Sequence, residues 1–385
     1  MKPLSTGTGL KDRLKQFDIC LLICTSILSI LSLLLMYSIA DKEELGFGLL
    51  KMQASATLVG VLVMVFLATV DYQEVVDKLW VIFLIGEIGL LGITLIYGVA
   101  EGENVSWLKI GPITLQPSEF VKGTFIVTFS KHLDMVKHRI NHPLSILALG
   151  LHAGVIIGLI MLSGDLGVAL VYCGIVALML FCAGLSIFYF LGAGVAAFVA
   201  IPYVWDYLKE YQRNRIIYGF DPESDPEEYG YQALLGRDAL ANGGMFGKGI
   251  HGGEYYHDLF ACENDFAFST LCEKFGLACG ILVLVCLTVI VFRVFMIART
   301  SRKDSGAFLC IGVAAAIVVQ TTENIGMCLA MLPVIGITLP FISYGGSSTL
   351  AMYLLLGMVH SVKTHRVKYN FEREQASNNI LPNKN

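Results

Sequence analysis

Ten apolar runs, most of them about 20 residues long, take up most of this chain, and that length is what a helix needs to cross roughly 30 Å of hydrocarbon. They fall at Ile19 to Ala40, Met52 to Val70, Leu79 to Ala100, Pro117 to Ser130, Pro143 to Leu162, Leu166 to Ala183, Ile187 to Trp205, Phe266 to Ile297, Ala307 to Leu332 and Ser347 to Val362. None alternates with a period of two, which excludes membrane β-strands. With 55% apolar and 15% charged residues, the expected fold is an all-α polytopic membrane protein of about ten transmembrane helices. The fourth run is the weakest, because it is short and carries Glu119 and Lys122.

The first run has 22 residues, too many for the apolar core of a signal peptide (about 7 to 15), so it reads as an uncleaved helix. Ten crossings put both termini on one side. Lysine and arginine are retained preferentially in cytoplasmic segments. With the N-terminus inside, the inner segments hold seventeen and the outer ones eight, five of the eight in one long loop. The expectation is therefore cytoplasmic tails at 1–18 and 363–385 and a single membrane domain at 19–362. One large extracytoplasmic loop, 206–264, lies between helices seven and eight.

A net charge of -4 with no basic block gives no sign of nucleic acid. The ten cysteines lack metal-ligand spacing and read as small apolar side chains. No Walker-type phosphate loop occurs, so no nucleotide cofactor is implied. A substrate must carry its own leaving group.

The topology brings four polar, Gly- and Pro-rich segments to the outer face. They are Gln116 to Glu119, Ser163 to Gly167, the long loop ending in Glu263-Asn264-Asp265, and Leu339 to Ser348. Irregular backbone at membrane depth is tolerated where protein buries it or where it lines a wet cavity, so an outward-facing site is the natural inference. Asp265 is expected to open the eighth helix, either as its N-cap or as a chemical group. Glu273 and Lys274 then lie about two turns into apolar sequence, where charge is costly and usually functional or paired. Glu119 and Lys122 form an i, i+3 pair that reads as a salt bridge or as cavity lining. Asp165 reads as a helix cap or as a cavity charge. In the loop, Arg213, Arg215, Arg237 and Lys248 accompany Gly243, Gly244, Gly247 and Gly249, a combination that suits a diphosphate.

In this order the segments resemble the SEDS family, the shape, elongation, division and sporulation proteins of the RodA/FtsW type. The similarity runs through Trp107-Leu108, Gln116 to Lys122, Gly164 to Gly167, Tyr211 to Ile216, Asp221-Pro222, Gly230 to Gln232, Gly243 to Gly249, Asn264 to Phe266 with Glu273 and Gly276, and Pro333 to Ser348. Departures include Gly236, where the family often has serine, and Glu323 before Asn324.

The resemblance implies a peptidoglycan glycosyltransferase that polymerises lipid II at the outer face of the bacterial cytoplasmic membrane. It assigns Asp265 to the family's essential aspartate and Glu119, Lys122, Asp165 and Ser343 to its cavity. Arg213, Arg215, Lys248 and Glu273 are further candidates for binding the substrate. A divalent cation such as Mg or Mn is a candidate cofactor, with Glu119 and Asp165 as ligands. The implied partners are a class B penicillin-binding protein and other elongation, division or sporulation proteins. The rival readings are a flippase for the lipid-linked precursor and a scaffold without catalysis of its own.

Overall fold

The computed structural model describes residues 16–40, 47–101, 104–111 and 113–380. The basic segment with Lys2, Lys11, Arg13 and Lys15 lies outside them. Every apolar run becomes helix. The first seven are α1 (Ile19–Ala40), α2 (Gly48–Thr69), α3 (Tyr72–Tyr97), α4 (Pro117–Val136), α5 (Pro143–Leu162), α6 (Leu166–Cys182) and α7 (Ile187–Tyr207). The long loop holds α8 (Glu210–Phe220) and α9 (Tyr231–Asn242). The eighth run is two helices, α10 (Ala267–Phe275) and α11 (Leu277–Arg299), and α12 (Asp304–Cys328) and α13 (Gly346–Ile380) complete the chain. Among the described residues, six helices are individually long and apolar enough to span a bilayer: α1, α2, α3, α5, α11 and α12. α6 and the Ile187–Tyr203 stretch of α7 are shorter apolar segments.

The structure is the expected helical membrane bundle, with one small addition: Val99–Glu101, Asn104–Ile110 and Ile113–Leu115 form a three-stranded antiparallel sheet, β1-β2-β3, between α3 and α4. Its second turn uses Gly111 at φ +63, backbone that glycine adopts without strain. The sheet is tied to the α5–α6 turn by Val105 N–H donating to Ser163 O at 2.9 Å. Beyond Val362, in the segment expected as a cytoplasmic tail, α13 continues through Ile380.

Small residues set the helix spacing, as expected where lipid removes the hydrophobic drive between helices. α13 lies along α2 so closely that a Cβ on Gly60 would come within 2.6 Å of the Tyr353 ring, and one on Gly357 within 3.0 Å of Met64. Polar ties join α1 to both of these helices and to the segment before α13. Ser29 and Tyr353 share a hydrogen bond at 2.6 Å, and Ser32 donates to Ile342 O at 2.7 Å. Gln53 Nε2 donates to Ser32 and Thr349 at 3.0 and 3.1 Å. At the end of the bundle away from the long loop, buried Asp18 meets Arg293 at 2.5 Å and Lys363 at 2.8 Å, joining the start of α1 to α11 and α13.

Burial alone would raise the Asp18 pKa, but the hydrogen bonds from Arg293 and Lys363 hold this carboxyl well below the usual carboxylate range. A depressed folded-state pKa gives stability that is fully present above the unfolded value, about 3.9, and is lost as pH falls through the folded one. Asp18→Asn is therefore expected to cost about 1–3 kcal/mol, discounted because Arg293 is partly exposed. The deficit should stay constant between about pH 5 and 8 and shrink in stronger acid. Thermal unfolding in detergent across that range checks it; equal melting temperatures at neutral pH would remove the clamp from the account.

Candidate active site

The site is built at the long-loop end of the bundle, where the chain turns from that loop into α10. The turn places Ala261 at φ +54, and Phe266, not Asp265, takes the N-cap position of α10. Asp265 stands just ahead of the helix, half-buried.

Three consecutive carbonyls in this turn accept hydrogen bonds from the far end of the sequence. Glu263 O accepts from Tyr344 N–H at 2.8 Å. Asn264 O accepts from Ser343 Oγ at 2.6 Å, and that hydroxyl in turn accepts from Leu339 N–H at 2.8 Å. Asp265 O accepts from Asn324 Nδ2 at 2.8 Å. The backbone under Asp265 is thus held residue by residue. Its carboxylate lies against Gly336, where the chain adopts φ +73 and an added Cβ would come within 3.3 Å of Oδ2.

The connection from α12 to α13 forms the wall shared with the second half of the site. Gly167, in the first turn of α6, packs so closely on this connection that its Cβ would lie 2.6 Å from Ile335 O. Thr338 and Ser348 share a hydrogen bond at 2.7 Å, and Ser347 Oγ accepts from Gln116 N–H at 3.3 Å. Gln116 Nε2 reaches Asp165 Oδ2 at 3.0 Å, while Asp165 Oδ1 caps α6 through Val168 N–H at 3.0 Å. On α4, Lys122 Nζ sits 3.0 Å from each oxygen of Glu119, both side chains being buried. Such a pair is tolerated at membrane depth because each charge answers the other. Glu323 of α12 feels the charge of Lys122 and keeps a buried oxygen, Oε2, without a hydrogen-bond partner.

Glu273 has a different place from the one expected. It is fully buried, and Oε1 accepts from Asn242 Nδ2, Glu254 N–H and Tyr255 N–H at 2.9–3.0 Å while Oε2 accepts from Tyr256 N–H at 2.9 Å. Its negative charge gathers the turn at Glu254 to Tyr256 onto α10. Lys274 beside it donates to Ile250 O and Gly252 O at 3.3 Å and lies 3.7 Å from the centre of the Tyr256 ring. The two buried charges of α10 organise the long loop.

The glycine-rich stretch likewise differs from a phosphate cradle. The amides of Gly243, Gly244 and Gly247 bond within the loop, and those of Lys248 and Gly249 donate to Glu273 O and Lys274 O at 2.9 Å. In return, Gly244 O and Met245 O accept from Leu277 and Ala278 N–H at 2.8 and 3.1 Å. These bonds satisfy both sides of the break between α10 and α11, which Gly276 makes at φ +85. The glycines are there for close approach: a Cβ on Gly243 would meet Cys272 O at 2.0 Å. The cations remain accessible. Lys248 and Arg215 are exposed, and Arg213 donates to Asp206 O at 2.9 Å.

The proposed metal ligands do not fit a divalent ion as they stand. Glu119 gives both oxygens to Lys122, and Asp165 divides its two between Gln116 and Val168. Among the described residues, no group of three His, Cys, Asp or Glu is arranged for a metal.

The family model for the FtsW, RodA and SpoVE cell cycle proteins matches residues 14–368. The chain belongs to this family. As a member of the FtsW/RodA/SpoVE family, it is 32% identical over 363 residues to the stage V sporulation protein E of Bacillus subtilis, covering 90% of this chain and 97% of that one. It is 30% identical over 352 residues to the peptidoglycan glycosyltransferase MrdB of Escherichia coli K12, covering 89% and 93%. A chain of a solved peptidoglycan synthase complex, described as coordinating polymerization and crosslinking, superposes with a TM-score of 0.80 at 27% identity, covering 91% and 98%. The family member described here is accordingly a multi-pass membrane protein. Asn324, whose contacts hold Asp265, was not among the residues singled out in the sequence. The signal for it was a side-chain amide in an apolar helix, one turn after Gln320, which hydrocarbon penalises unless its N–H groups are bonded.

Proposed function

We propose that this chain polymerises lipid II into glycan strands, with Asp265 as general base. The observation that carries the reading is the half-buried Asp265 on a backbone whose three carbonyls are separately bonded. The 4-hydroxyl of the acceptor sugar gives its proton to Asp265 as its oxygen attacks the anomeric carbon of the donor. The bond to the undecaprenyl diphosphate breaks in the same displacement, so the α-linked donor becomes a β-linked product by inversion. A carboxylate within hydrogen-bond reach suffices for the proton. The negative charge that grows on the departing diphosphate needs cations. Lys122, Arg215 and Lys248 are the side chains we assign to it, and no step requires a protein nucleophile or a metal.

In this reading the long-loop end of the bundle faces the outside of the bacterial cytoplasmic membrane, with both termini inside. A class B penicillin-binding protein crosslinks the strands that this chain makes. The strands serve wall growth in elongation, division or sporulation, the processes of the family's members.

Transport is kept as the second reading for one structural reason. Below the Glu119–Lys122 pair a polar chain continues along α4: Thr128 Oγ1 lies 3.3 Å from Glu87 Oε1 and 3.3 Å from His152 Nε2, and His152 meets His132 at 3.0 Å. Proteoliposomes loaded with fluorescent lipid II separate the two. The account expects glycan polymer from outward-facing protein given partner and divalent ions. Lipid II that changes leaflets without polymer would favour the flippase.

A further inference from the structure

We infer that Asn324 is a positioning residue for Asp265, setting the carboxylate against the Gly336 turn; the inference rests on the general-base reading above. Asn324 is on α12, fully enclosed, near the end that meets the long loop. Its amide nitrogen carries two hydrogens, and each has a separate acceptor: Asp265 O at 2.8 Å and Ile337 O at 2.6 Å. Those carbonyls belong to segments more than seventy residues apart in sequence. One planar amide therefore fixes the separation of the Asp265 backbone from the Gly336–Ile337 backbone, with no intervening rotatable bond inside the amide group.

That separation matters because the turn meets the carboxylate itself. Gly336 lies next to the residue that Asn324 holds, and a Cβ at Gly336 would stand 3.3 Å from Asp265 Oδ2. If the two backbones drift, the oxygen that must meet the acceptor hydroxyl drifts with them. Asn324 is nevertheless not the only anchor of this turn: Cys328 Sγ also donates to Asp265 O, at the longer distance of 3.7 Å. Ser343 and Tyr344 hold Asn264 and Glu263 independently, so loss of the amide should loosen Asp265 before it unfolds the turn.

The chemistry of the clamp is specific. Both partners are acceptors, so the residue between them must offer two donors about 120° apart. Glutamine keeps both donors on a stem one methylene longer, alanine keeps neither, and aspartate would turn two acceptors toward two carbonyls.

A misplacement of about 1 Å in a reacting group can cost on the order of 100-fold in rate. For Asn324→Ala, kcat per folded molecule is expected to fall roughly 30- to 100-fold. KM for lipid II should change less than about threefold, because the Glu119–Lys122 and Gln116–Asp165 contacts are untouched. Asn324→Gln should recover at least about fivefold of the lost kcat. A purely structural role would lower the folded fraction and leave kcat per folded molecule unchanged.

The experiment uses the full chain with its partner, purified in detergent, with the monodisperse folded fraction quantified for each variant. Initial rates against lipid II are measured for the unaltered chain, Asn324→Ala, Asn324→Gln and Asp265→Asn. Should the alanine variant not fold, Asn324→Gln and Asn324→Ser are compared in its place. They should rank by the number of donors retained, with KM held. A fall in kcat at constant KM, partly restored by glutamine, supports the inference. Unchanged kcat per folded molecule, or a KM that rises in step with the loss, overturns it. An Asp265→Asn variant as active as the unaltered chain overturns the general-base reading and this inference together. A silent Asp265→Asn beside a fully active Asn324→Ala overturns this inference alone.

Discussion

Asp265→Asn is expected to lower kcat for glycan polymerisation by about 100- to 10,000-fold, the range a positioned general base contributes, while the protein remains folded. Asparagine matches aspartate in shape, and the contacts that fix this turn run through backbone carbonyls: Asp265 O to Asn324, Asn264 O to Ser343, Glu263 O to Tyr344. All three survive the substitution. What is lost is a carboxylate able to take the acceptor's proton. Melting temperature and monodispersity should be unchanged within error, and binding of lipid II should be altered far less than turnover. A variant that loses stability along with activity would shift Asp265 toward a structural role.

Glu273→Ala is expected to have the largest effect on stability. Its two oxygens serve one side-chain amide and three backbone N–H groups, all within 3.0 Å. Hydrogen bonds to a charged group contribute roughly 1.5–3 kcal/mol each, and a buried donor left without a partner costs about 1–3 kcal/mol. Even with water replacing some partners, a loss above about 4 kcal/mol follows, a large fraction of a typical folding free energy. The turn at Glu254 to Tyr256 should become the first site of proteolytic cleavage. Glu273→Gln retains an acceptor and size, and should yield a less stable protein whose folded fraction keeps kcat within a few-fold. A Glu273→Gln variant that folds normally and loses turnover as Asp265→Asn does would return Glu273 to the substrate site.

Helices were the legible part of the fold, because bilayer thickness fixes their length and the polar breaks between them stand out against apolar sequence. The sheet at Val99 to Leu115 was not legible as such: three short strands beside a membrane bundle give only short β-branched runs beside Gly111 and Pro112. The break at Gly276 was hidden within one continuous apolar run, since its carbonyls and amides are satisfied by a loop thirty residues upstream. The same long-range bonding explains the site. Asp265, Glu119, Lys122, Asp165 and Ser343 could be singled out as polar groups in or beside hydrocarbon. That Glu273 serves the loop, that the Lys248 and Gly249 amides bond α10, and that Asn324 holds both Asp265 and Ile337 depend on partners 13 to 59 residues away. Spacing along one helix carries no record of them.

Polymerisation of labelled lipid II by the purified chain and its cognate partner, with the partner's crosslinking blocked, tests the central claim most directly. The unaltered chain and Asp265→Asn are to be compared at equal folded concentration in the presence of divalent ions. The account predicts glycan strands from the first and almost none from the second. Strands of equal yield from both would contradict it.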